Sequence, residues 1–321
     1  MKHLKYSDIS LVPNYSEIHS RSDASTSVNF FGSKYKLPII PANMQSVIDM
    51  NLAKWMSHCN YFYIMHRFNR DLAEDIANSQ DWNNISFSVG VKAKDKMAIQ
   101  KISKREHRVD YITIDIAHGH CKRMETMIKW IKNHLPDTKI IAGNVATPEA
   151  VLSLANWGAD IVKVGIGQGS PCTTKDKTGF TMPMFSCVRS CSKVFTGDFV
   201  GDVSQVPIIA DGGIKCNGDI SKAIVAGAKL VMAGGMFAAC TDSPAVSSVI
   251  NNSPHKAYFG SASYENKGHK NHVEGKLNHI TASNMNYEEK LNEIKQDIQS
   301  AISYAGGENL DAFESVEYIE V

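Results

Sequence analysis

The sequence has almost no net charge, because 34 basic side chains are balanced by 33 acidic ones to a formal charge of +1 at pH 7. Such a balance gives no general attraction to nucleic acids or to acidic membranes. The chain also lacks a long apolar run. Its most apolar stretch, 223–240, is interrupted by Lys229, and its first residues have no apolar core of signal-peptide length. We therefore expect a soluble cytoplasmic protein that binds neither nucleic acid nor membrane.

The sequence does not contain a disulfide framework either. Its seven cysteines are odd in number and scattered, which is typical of a reducing cytosol. Cys187 and Cys191 are spaced as on one helix face, but no second Cys or His pair nearby would complete a zinc site, so we expect both to be structural. Apolar material is plentiful, since 43% of the 321 residues are hydrophobic, and the chain can bury a full core.

Eight short apolar runs recur along the chain, and most of them end in a polar or glycine-bearing turn. The predicted strands are 37–40, 61–65, 85–89, 111–114, 139–141, 161–164, 207–210 and 230–232. Helical patterns lie between several of them, at 123–134, 147–157 and 218–227. Strands that alternate with helices indicate a parallel sheet, and eight such units predict an α/β fold, the (β/α)8 TIM barrel, as one domain over 1–321. An open doubly wound sheet is the alternative, although no Gly-x-Gly-x-x-Gly opens the first unit.

The interval between the sixth and seventh strands is the longest, and it carries the loop Gly165-Ile-Gly-Gln-Gly-Ser-Pro-Cys-Thr-Thr174. Its alternate glycines let the backbone turn tightly and approach a ligand or an ion. A thiol at Cys172 is placed to attack an electrophilic carbon, and Thr174 is placed to handle a proton. The alternative is an ordinary buried cysteine. Loops of this length are usually functional, so we expect a mobile catalytic loop, followed after the eighth strand by a C-terminal extension with a polar flap at 265–276 and a helix at 287–304.

Paired glycines follow the seventh and eighth strands, in Asp211-Gly-Gly213 and Gly234-Gly235. The loops after these two strands are the usual phosphate site of a TIM barrel. Ser261 and Ser263 are candidates to add hydroxyl groups, and the carboxylate of Asp211 is suited to accept hydrogen bonds from a ribose. Simple barrel turns are the alternative. Together the two loops predict a bound nucleoside monophosphate with its base near the cysteine. In a purine base, C2 lies between two nitrogens and is therefore electrophilic, so a thiolate can add to it.

Several segments resemble the family of IMP dehydrogenases and GMP reductases. They are the cysteine loop 165–174, the turns 211–213 and 234–235, Asp115-Ile-Ala-His-Gly119, and Tyr6-Ser-Asp-Ile-Ser-Leu-Val-Pro13. The likeness runs from about residue 6 to Ile319. Within the family the chain is closer to the short bacterial GMP reductases, through Tyr63-Ile-Met-His-Arg67 and Ser300-Ala-Ile-Ser-Tyr-Ala-Gly-Gly307.

Three further features separate the chain from the dehydrogenases in that family. No regulatory insert follows the second strand, the cysteine is followed by Thr-Thr and then Lys-x-Lys-Thr-Gly, and no Arg-Tyr pair for activating water occurs. Instead, Glu274-Gly-Lys276 resembles the reductase segment that brings a catalytic glutamate to the site. The resemblance implies reductive deamination of GMP to IMP with NADPH, through a thioimidate on Cys172, with Thr174 and Glu274 relaying a proton.

The resemblance also implies which residues bind the ligands. Substrate contacts are expected from Ser170, Asp211, Gly212, Gly213, Gly234, Gly235, Gly260, Ser261, Ser263 and Gly275. Contacts to NADPH are expected from Ser20, Arg21, Arg67, Asp115, Ala117, His118 and Tyr304. A monovalent cation, K⁺, is expected on the backbone of Gly165, Gly167 and Cys172, and the family implies a homotetramer.

Two positions of the loop depart from the family pattern, Gln168 and Pro171. Proline fixes φ and removes an N–H group, which affects the expected rest conformation of the loop and the expected cation site. A barrel enzyme that binds phosphorylated substrates without a cysteine adduct is a distant alternative, and two nearer alternative functions stay open. One is an IMP dehydrogenase without its insert, which would oxidise IMP to XMP with NAD, and the other is a purine-nucleotide sensor without catalysis.

Overall fold

The computed structural model describes residues 3–68, 70–195, 206–268 and 271–321. The strands are β1 (Ile9–Leu11), β2 (Val28–Phe30), β3 (Ser33–Tyr35), β4 (Ile39–Pro41), β5 (Ser86–Val89), β6 (Tyr111–Asp115), β7 (Lys139–Val145), β8 (Ile161–Val164), β9 (Ile208–Asp211), β10 (Leu230–Ala233), β11 (Ser247–Ile250), β12 (Ser253–Phe259), β13 (Leu277–Thr281) and β14 (Tyr318–Glu320). The helices are α1 (Met50–His58), α2 (Leu72–Ala77), α3 (Ala93–Lys104), α4 (Lys122–His134), α5 (Pro148–Asn156), α6 (Thr174–Thr178), α7 (Met184–Ser192), α8 (Asn217–Val225), α9 (Gly235–Ala238), α10 (Tyr264–Lys267) and α11 (Tyr287–Ala305). Short 3-10 helices lie at Tyr6–Asp8, Arg21–Asp23, Lys193–Phe195 and Leu310–Ser315.

Seven strands form one parallel sheet in the order β4-β10-β9-β8-β7-β6-β5. Helices α3, α4, α5, α7 and α8 alternate with these strands along the chain, which is the pattern of a (β/α)8 barrel. The predicted α/β barrel class is therefore confirmed. Helix starts follow the sequence as well: the Thr147 side chain accepts a hydrogen bond from Ala150 N–H, and Pro148 occupies the first helical position of α5.

The second predicted strand, 61–65, differs from the prediction. It makes a single parallel bridge, between Met65 and Phe87, although Lys36 N–H also donates to Asn60 O at its beginning. The physical reason lies in one side chain, because the Tyr63 hydroxyl donates to Asn84 O over 2.8 Å and accepts from Ser86 N–H over 3.3 Å. The phenol thus takes backbone partners next to β5 that a continuous ladder would use, and the eighth position of the barrel is an extended segment without a regular ladder.

Aromatic side chains pack at the end of the barrel where the strands begin. The β2–β3 hairpin brings Phe30 to ring-centroid distances of 5.3 Å from Phe62 and 6.0 Å from Tyr111. A surface cleft of about 570 Å³ opens at this same end, lined among others by Tyr111 and Lys139, which begin β6 and β7. It is therefore at the opposite end of the barrel from the polar strand ends, such as Asp115 and Asp211.

The C-terminal extension contains more regular structure than the sequence indicated. Strands β11, β12 and β13 form an antiparallel sheet, and β14 pairs with β1, so the two ends of the chain are joined. The predicted helix at 287–304 is α11, which begins at an Asn286–Glu289 capping box. No helix in the described ranges combines the length and apolarity needed to cross a membrane.

The interval after β8 holds two helices rather than an open loop. The first is the short α6 directly behind the cysteine, and the second is α7, on which Cys187 and Cys191 are fully buried. Both cysteines therefore pack in the core, as expected. The part of the interval at 196–205 lies outside the described residues, and the mobility of the loop stays a prediction.

Candidate active site

The cysteine loop is joined to the flap by backbone pairing. Cys172 stands opposite Gly275 in an antiparallel bridge, Thr173 N–H donates to Glu274 O over 2.8 Å, and Lys276 N–H donates to Pro171 O over 2.9 Å. Residues 269–270 of the predicted flap lie outside the described residues. The described part of the flap and the loop nevertheless form one two-stranded unit, which brings together side chains that are far apart in the sequence.

Three side chains on this unit form a continuous hydrogen-bonded chain. The Cys172 Sγ donates to Thr174 Oγ1 over 3.3 Å, and Thr174 Oγ1 donates to Glu274 Oε2 over 2.7 Å. All three residues are partly buried. The chain can carry a proton from the thiol to the carboxylate and back, which is what a cysteine nucleophile with a proton relay requires.

The proline of the loop does not displace the thiol. Pro171 is buried and its carbonyl accepts from the flap, while Cys172 N–H closes a tight turn onto Gly169 O at 2.9 Å. The N–H group that proline lacks is therefore not needed for the pairing. The departure at Pro171 leaves Cys172 within contact of Thr174.

The predicted nucleotide-binding turns pack against the cysteine loop. A Cβ added to Gly212 would lie 3.3 Å from the Gly169 nitrogen, and one added to Gly260 would lie 3.6 Å from the Pro171 ring. Gly165 comes closer still, since its φ of +134° places a hypothetical Cβ 2.0 Å from the Asp211 carbonyl oxygen. Only glycine allows this approach of β8 to the end of β9.

The turn predicted to bind the phosphate contains a narrow cradle at Gly234. A Cβ added to Gly234 would lie 2.0 Å from the Tyr258 hydroxyl oxygen. Ser263 is fully buried, its N–H donates to Gly260 O, and its hydroxyl has no hydrogen-bond partner among the described residues. An unpaired buried hydroxyl is costly, so it is suited to a ligand oxygen. Ser261 beside it is partly buried, whereas Ser170 is exposed and its Oγ accepts from Asn278 over 3.3 Å.

A buried charge cluster lies beneath these turns, and the sequence did not predict it. The ammonium of Lys163 is 3.0 Å from Asp115 Oδ1 and 2.5 Å from Asp211 Oδ2, and its side chain is 2% exposed. Asn144 Nδ2 also donates to Asp211 Oδ2, over 2.8 Å. The signal that could have found Lys163 was a lysine in the middle of an apolar strand, which is rarely buried without a partner.

The protonation states in this cluster follow from burial and charge. Burial disfavours the charged form of Lys163, but Asp115 and Asp211 outweigh it, so the pKa of Lys163 is raised. Burial likewise opposes ionisation of Asp115, and Lys163 together with Arg67 outweighs it, so the pKa of Asp115 is lowered. Both groups are therefore charged at neutral pH.

The predicted cofactor residues fall into two places. Arg67 lies near enough to Asp115 to influence its ionisation, and the buried Arg67 Nε has no hydrogen-bond partner in the part of the chain that the structure describes. Arg21 instead contacts Tyr304, donating to its hydroxyl over 3.3 Å and stacking on its ring at 5.2 Å. Within the described ranges no hydrogen bond, ion pair or ring contact links that pair to Cys172.

The remaining predicted contacts are less defined. Ser20 caps the 3-10 helix at Arg21–Asp23, and Ala117 and His118 are exposed in the turn after β6. Of the carbonyls expected to hold K⁺, that of Gly165 accepts from Asn144 Nδ2 over 2.8 Å. No group of three or more His, Cys, Asp or Glu in the described part of the chain is arranged to hold a metal ion. The backbone cation stays a prediction.

The chain is similar to known proteins over nearly its whole length. The model of the IMP dehydrogenase / GMP reductase domain matches residues 3–320. A protein named GMP reductase from Oceanobacillus iheyensis is 46% identical over 320 residues, which cover 98% of this chain and 95% of the relative. A GMP reductase from Staphylococcus aureus is 44% identical over 325 residues, which cover 100% of this chain and 97% of the relative.

Proposed function

The chain belongs to the IMP dehydrogenase / GMP reductase family, and we propose that it reduces GMP to IMP with NADPH and releases ammonia. The observation that carries the proposal is the chain of contacts from Cys172 through Thr174 to Glu274. Relatives named GMP reductase at 44% and 46% identity support the substrate. The role would be purine nucleotide interconversion and salvage by a cytoplasmic, single-domain enzyme.

The first half of the reaction is deamination. The Cys172 thiol gives its proton through Thr174 to Glu274, and the thiolate forms a bond to C2 of the purine. Glu274 then returns a proton through Thr174 to the 2-amino group, because an amine leaves far more easily as ammonia than as an amide anion. The C2–N bond breaks, and a thioimidate between Cys172 and the purine remains.

The second half of the reaction is reduction. When bound, the nicotinamide supplies a hydride for C2. The C2–S bond then breaks, and the electron pair returns to sulfur, which regenerates the Cys172 thiolate and frees IMP. The work of this chain is to hold C2 against the sulfur and to keep the proton relay on one side of the ring.

The nucleotide would be held between the cysteine loop and the two glycine turns. Asp211 presents a carboxylate whose Oδ2 is already occupied by Lys163 and Asn144, so Oδ1 is available to accept from ribose hydroxyls. The unpaired hydroxyl of Ser263 and the cradle at Gly234 fit a phosphate group. These contacts support a nucleoside monophosphate over a free base.

The residues near Asp115 fit a dinucleotide cofactor. The buried Arg67 Nε has no partner within the described ranges, and the Arg67 guanidinium can bind a phosphate bidentately. Arg21 would serve a second anionic group from its place on the Tyr304 ring. A homotetramer, as the family implies, is part of the proposal, and light scattering of the purified protein tests it.

One assay with two arms tests the proposed function. GMP and NADPH are incubated with the protein, and loss of NADPH absorbance is followed together with formation of IMP and ammonia. The second arm contains IMP and NAD and measures XMP. We expect turnover in the first arm only. Turnover in the second arm alone would identify a dehydrogenase, and nucleotide binding without turnover in either arm would identify a sensor.

A further inference from the structure

The buried ammonium of Lys163 contacts two aspartate side chains that are assigned to the binding of different ligands. Lys163 contacts Asp211, which the proposed function assigns to the nucleotide ribose, and Asp115, which it assigns to the cofactor. The inference below rests on that function. Because Lys163 is 2% exposed, water cannot replace either carboxylate at its ammonium.

The contacts at Asp211 are unequal for its two oxygens. Lys163 and Asn144 both donate to Oδ2, at 2.5 and 2.8 Å, and Oδ1 has no partner among the described residues. The Lys163 contact therefore fixes the orientation of the carboxylate and at the same time draws negative charge away from the oxygen that a ligand would use.

Asp115 competes for the same ammonium. It lies on β6 and Asp211 ends β9, while Lys163 reaches both from β8. Arg67 and Asn43 also interact with Asp115, so its carboxylate has partners that Asp211 does not share. Any change at Asp115 alters how strongly the ammonium is held by Asp211, since a low-dielectric surrounding weakens neither attraction.

We propose that Lys163 is a positioning residue that links the nucleotide site to the cofactor site. The two carboxylates share one ammonium, so whatever satisfies Asp115 shifts Lys163 towards Asp211 and makes Asp211 a weaker acceptor for the ribose. The effect is reciprocal, because a coupling between two binding sites acts equally in both directions. Lys163 itself touches neither ligand in this scheme.

The test is the affinity for IMP, measured by calorimetry without any cofactor. Asp115→Asn removes the competing charge but leaves Lys163 in place. We expect its dissociation constant for IMP to rise about three- to tenfold, the size of other couplings through side-chain networks. In a Lys163→Met protein the same Asp115→Asn change has no further effect, because the link is gone. A role that is only structural would instead give additive losses.

The chain offers a matched control. Lys256 is also buried, at 4% exposure, and its ammonium donates to the carbonyls of Thr241, Ser243 and Ala245. Lys256→Met should lower thermal stability without changing how Asp115→Asn affects IMP binding. If Lys163→Met does not fold, Lys163→Gln takes its place in the same comparison, and wild-type affinity for IMP in the single Asp115→Asn protein would overturn the link by itself.

The outcomes separate the link from the proposed function. Wild-type affinity for IMP in Asp115→Asn would overturn the link, whatever the enzyme does with GMP. A wild-type protein that binds IMP but never reduces GMP would overturn the proposed function, and the IMP affinities would then judge the link by themselves. Failure of the wild-type protein to bind IMP would overturn both.

Discussion

The Thr174 hydroxyl donates to the Glu274 carboxylate over 2.7 Å, although the two residues are 100 positions apart in the chain. The contact exists because the cysteine loop and the flap pair through their backbones, with Thr173 N–H on Glu274 O. The proposed proton relay would therefore depend on the pairing of the loop with the flap, and neither segment alone would provide it. If the loop separated from the flap, Cys172 would remain on the loop, but the contact from Thr174 to Glu274 would be lost.

Replacing Glu274 by Gln should therefore remove the proton acceptor and keep the packing. The amide oxygen still accepts from Thr174, but it cannot hold a proton, and we expect kcat to fall about 10²- to 10⁴-fold with little change in the KM for GMP. Steady-state kinetics measure both. The control is Glu265→Gln, an exposed glutamate in the same polar segment. Full turnover in Glu274→Gln would remove the relay from the mechanism.

The cradle at Gly234 predicts a steric effect that differs between neighbouring glycines. A Cβ at Gly234 would meet the Tyr258 hydroxyl at 2.0 Å, whereas one at Gly235 has its nearest neighbour, a Tyr258 ring carbon, at 3.9 Å. Gly234→Ala should cost about 1–3 kcal/mol of unfolding free energy and raise the KM for GMP, as overpacking does. Gly235→Ala should cost much less.

A second substitution tests whether the Tyr258 hydroxyl causes the loss of stability in Gly234→Ala. Tyr258→Phe removes the hydroxyl, so adding it to Gly234→Ala should recover part of the lost stability, as measured by denaturant unfolding. An equal loss in the two alanine proteins, or no recovery in the double variant, would show that the contact does not decide the cost.

Stability should fall on acidification because of His66. Burial, and to a lesser extent Arg70, lowers the pKa of His66 from 6.5 to about 4, and its Nδ1 accepts from Phe68 N–H over 3.2 Å, a bond that protonation would break. The unfolded chain takes up a proton near pH 6.5 and the folded chain does not. The free energy of unfolding therefore falls as pH drops through this window, by about 2 kcal/mol between pH 7 and pH 5.

Denaturant unfolding at the two pH values measures that loss. His66→Gln cannot titrate, so its difference between pH 7 and pH 5 should be smaller by that amount. His58→Gln, at an exposed position on α1, is the control and should behave as the wild type. An unchanged difference in His66→Gln would assign the acid sensitivity to other groups.

The features that could be predicted from the sequence are the repeated strands and the local glycine and cysteine motifs. Strand 161–164 was predicted with the bounds of β8, and the glycine spacing around Cys172 identified the loop that the structure places beside Glu274. A ladder at 61–65 was predicted, but the structure has one bridge there. The Tyr63 hydroxyl of this segment bonds Asn84 O and Ser86 N–H beside β5, and the periodicity of the sequence does not predict such a contact.

The residues that were missed depend on contacts between strands. In the sequence, Lys163 is a single polar residue in an apolar predicted strand. Asn144 is a polar residue in the turn predicted after another strand. Their roles arise only when the parallel pairing of β7, β8 and β9 brings Asp211 within 2.5 Å of Lys163 and 2.8 Å of Asn144. Sequence periodicity predicts which face of a strand a side chain occupies. Contacts between charged side chains on neighbouring strands depend also on the register of those strands, which periodicity does not give.

We predict that a purine becomes bonded to the Cys172 sulfur during turnover. Acid-quenched mixtures of protein, GMP and NADPH are digested, and the peptide that carries Cys172 is weighed by mass spectrometry. We predict a purine nucleotide on that peptide, its absence in Cys172→Ala, and its retention in Cys216→Ala, which changes an exposed cysteine. No nucleotide on Cys172, together with undiminished turnover of GMP by Cys172→Ala, would contradict the account.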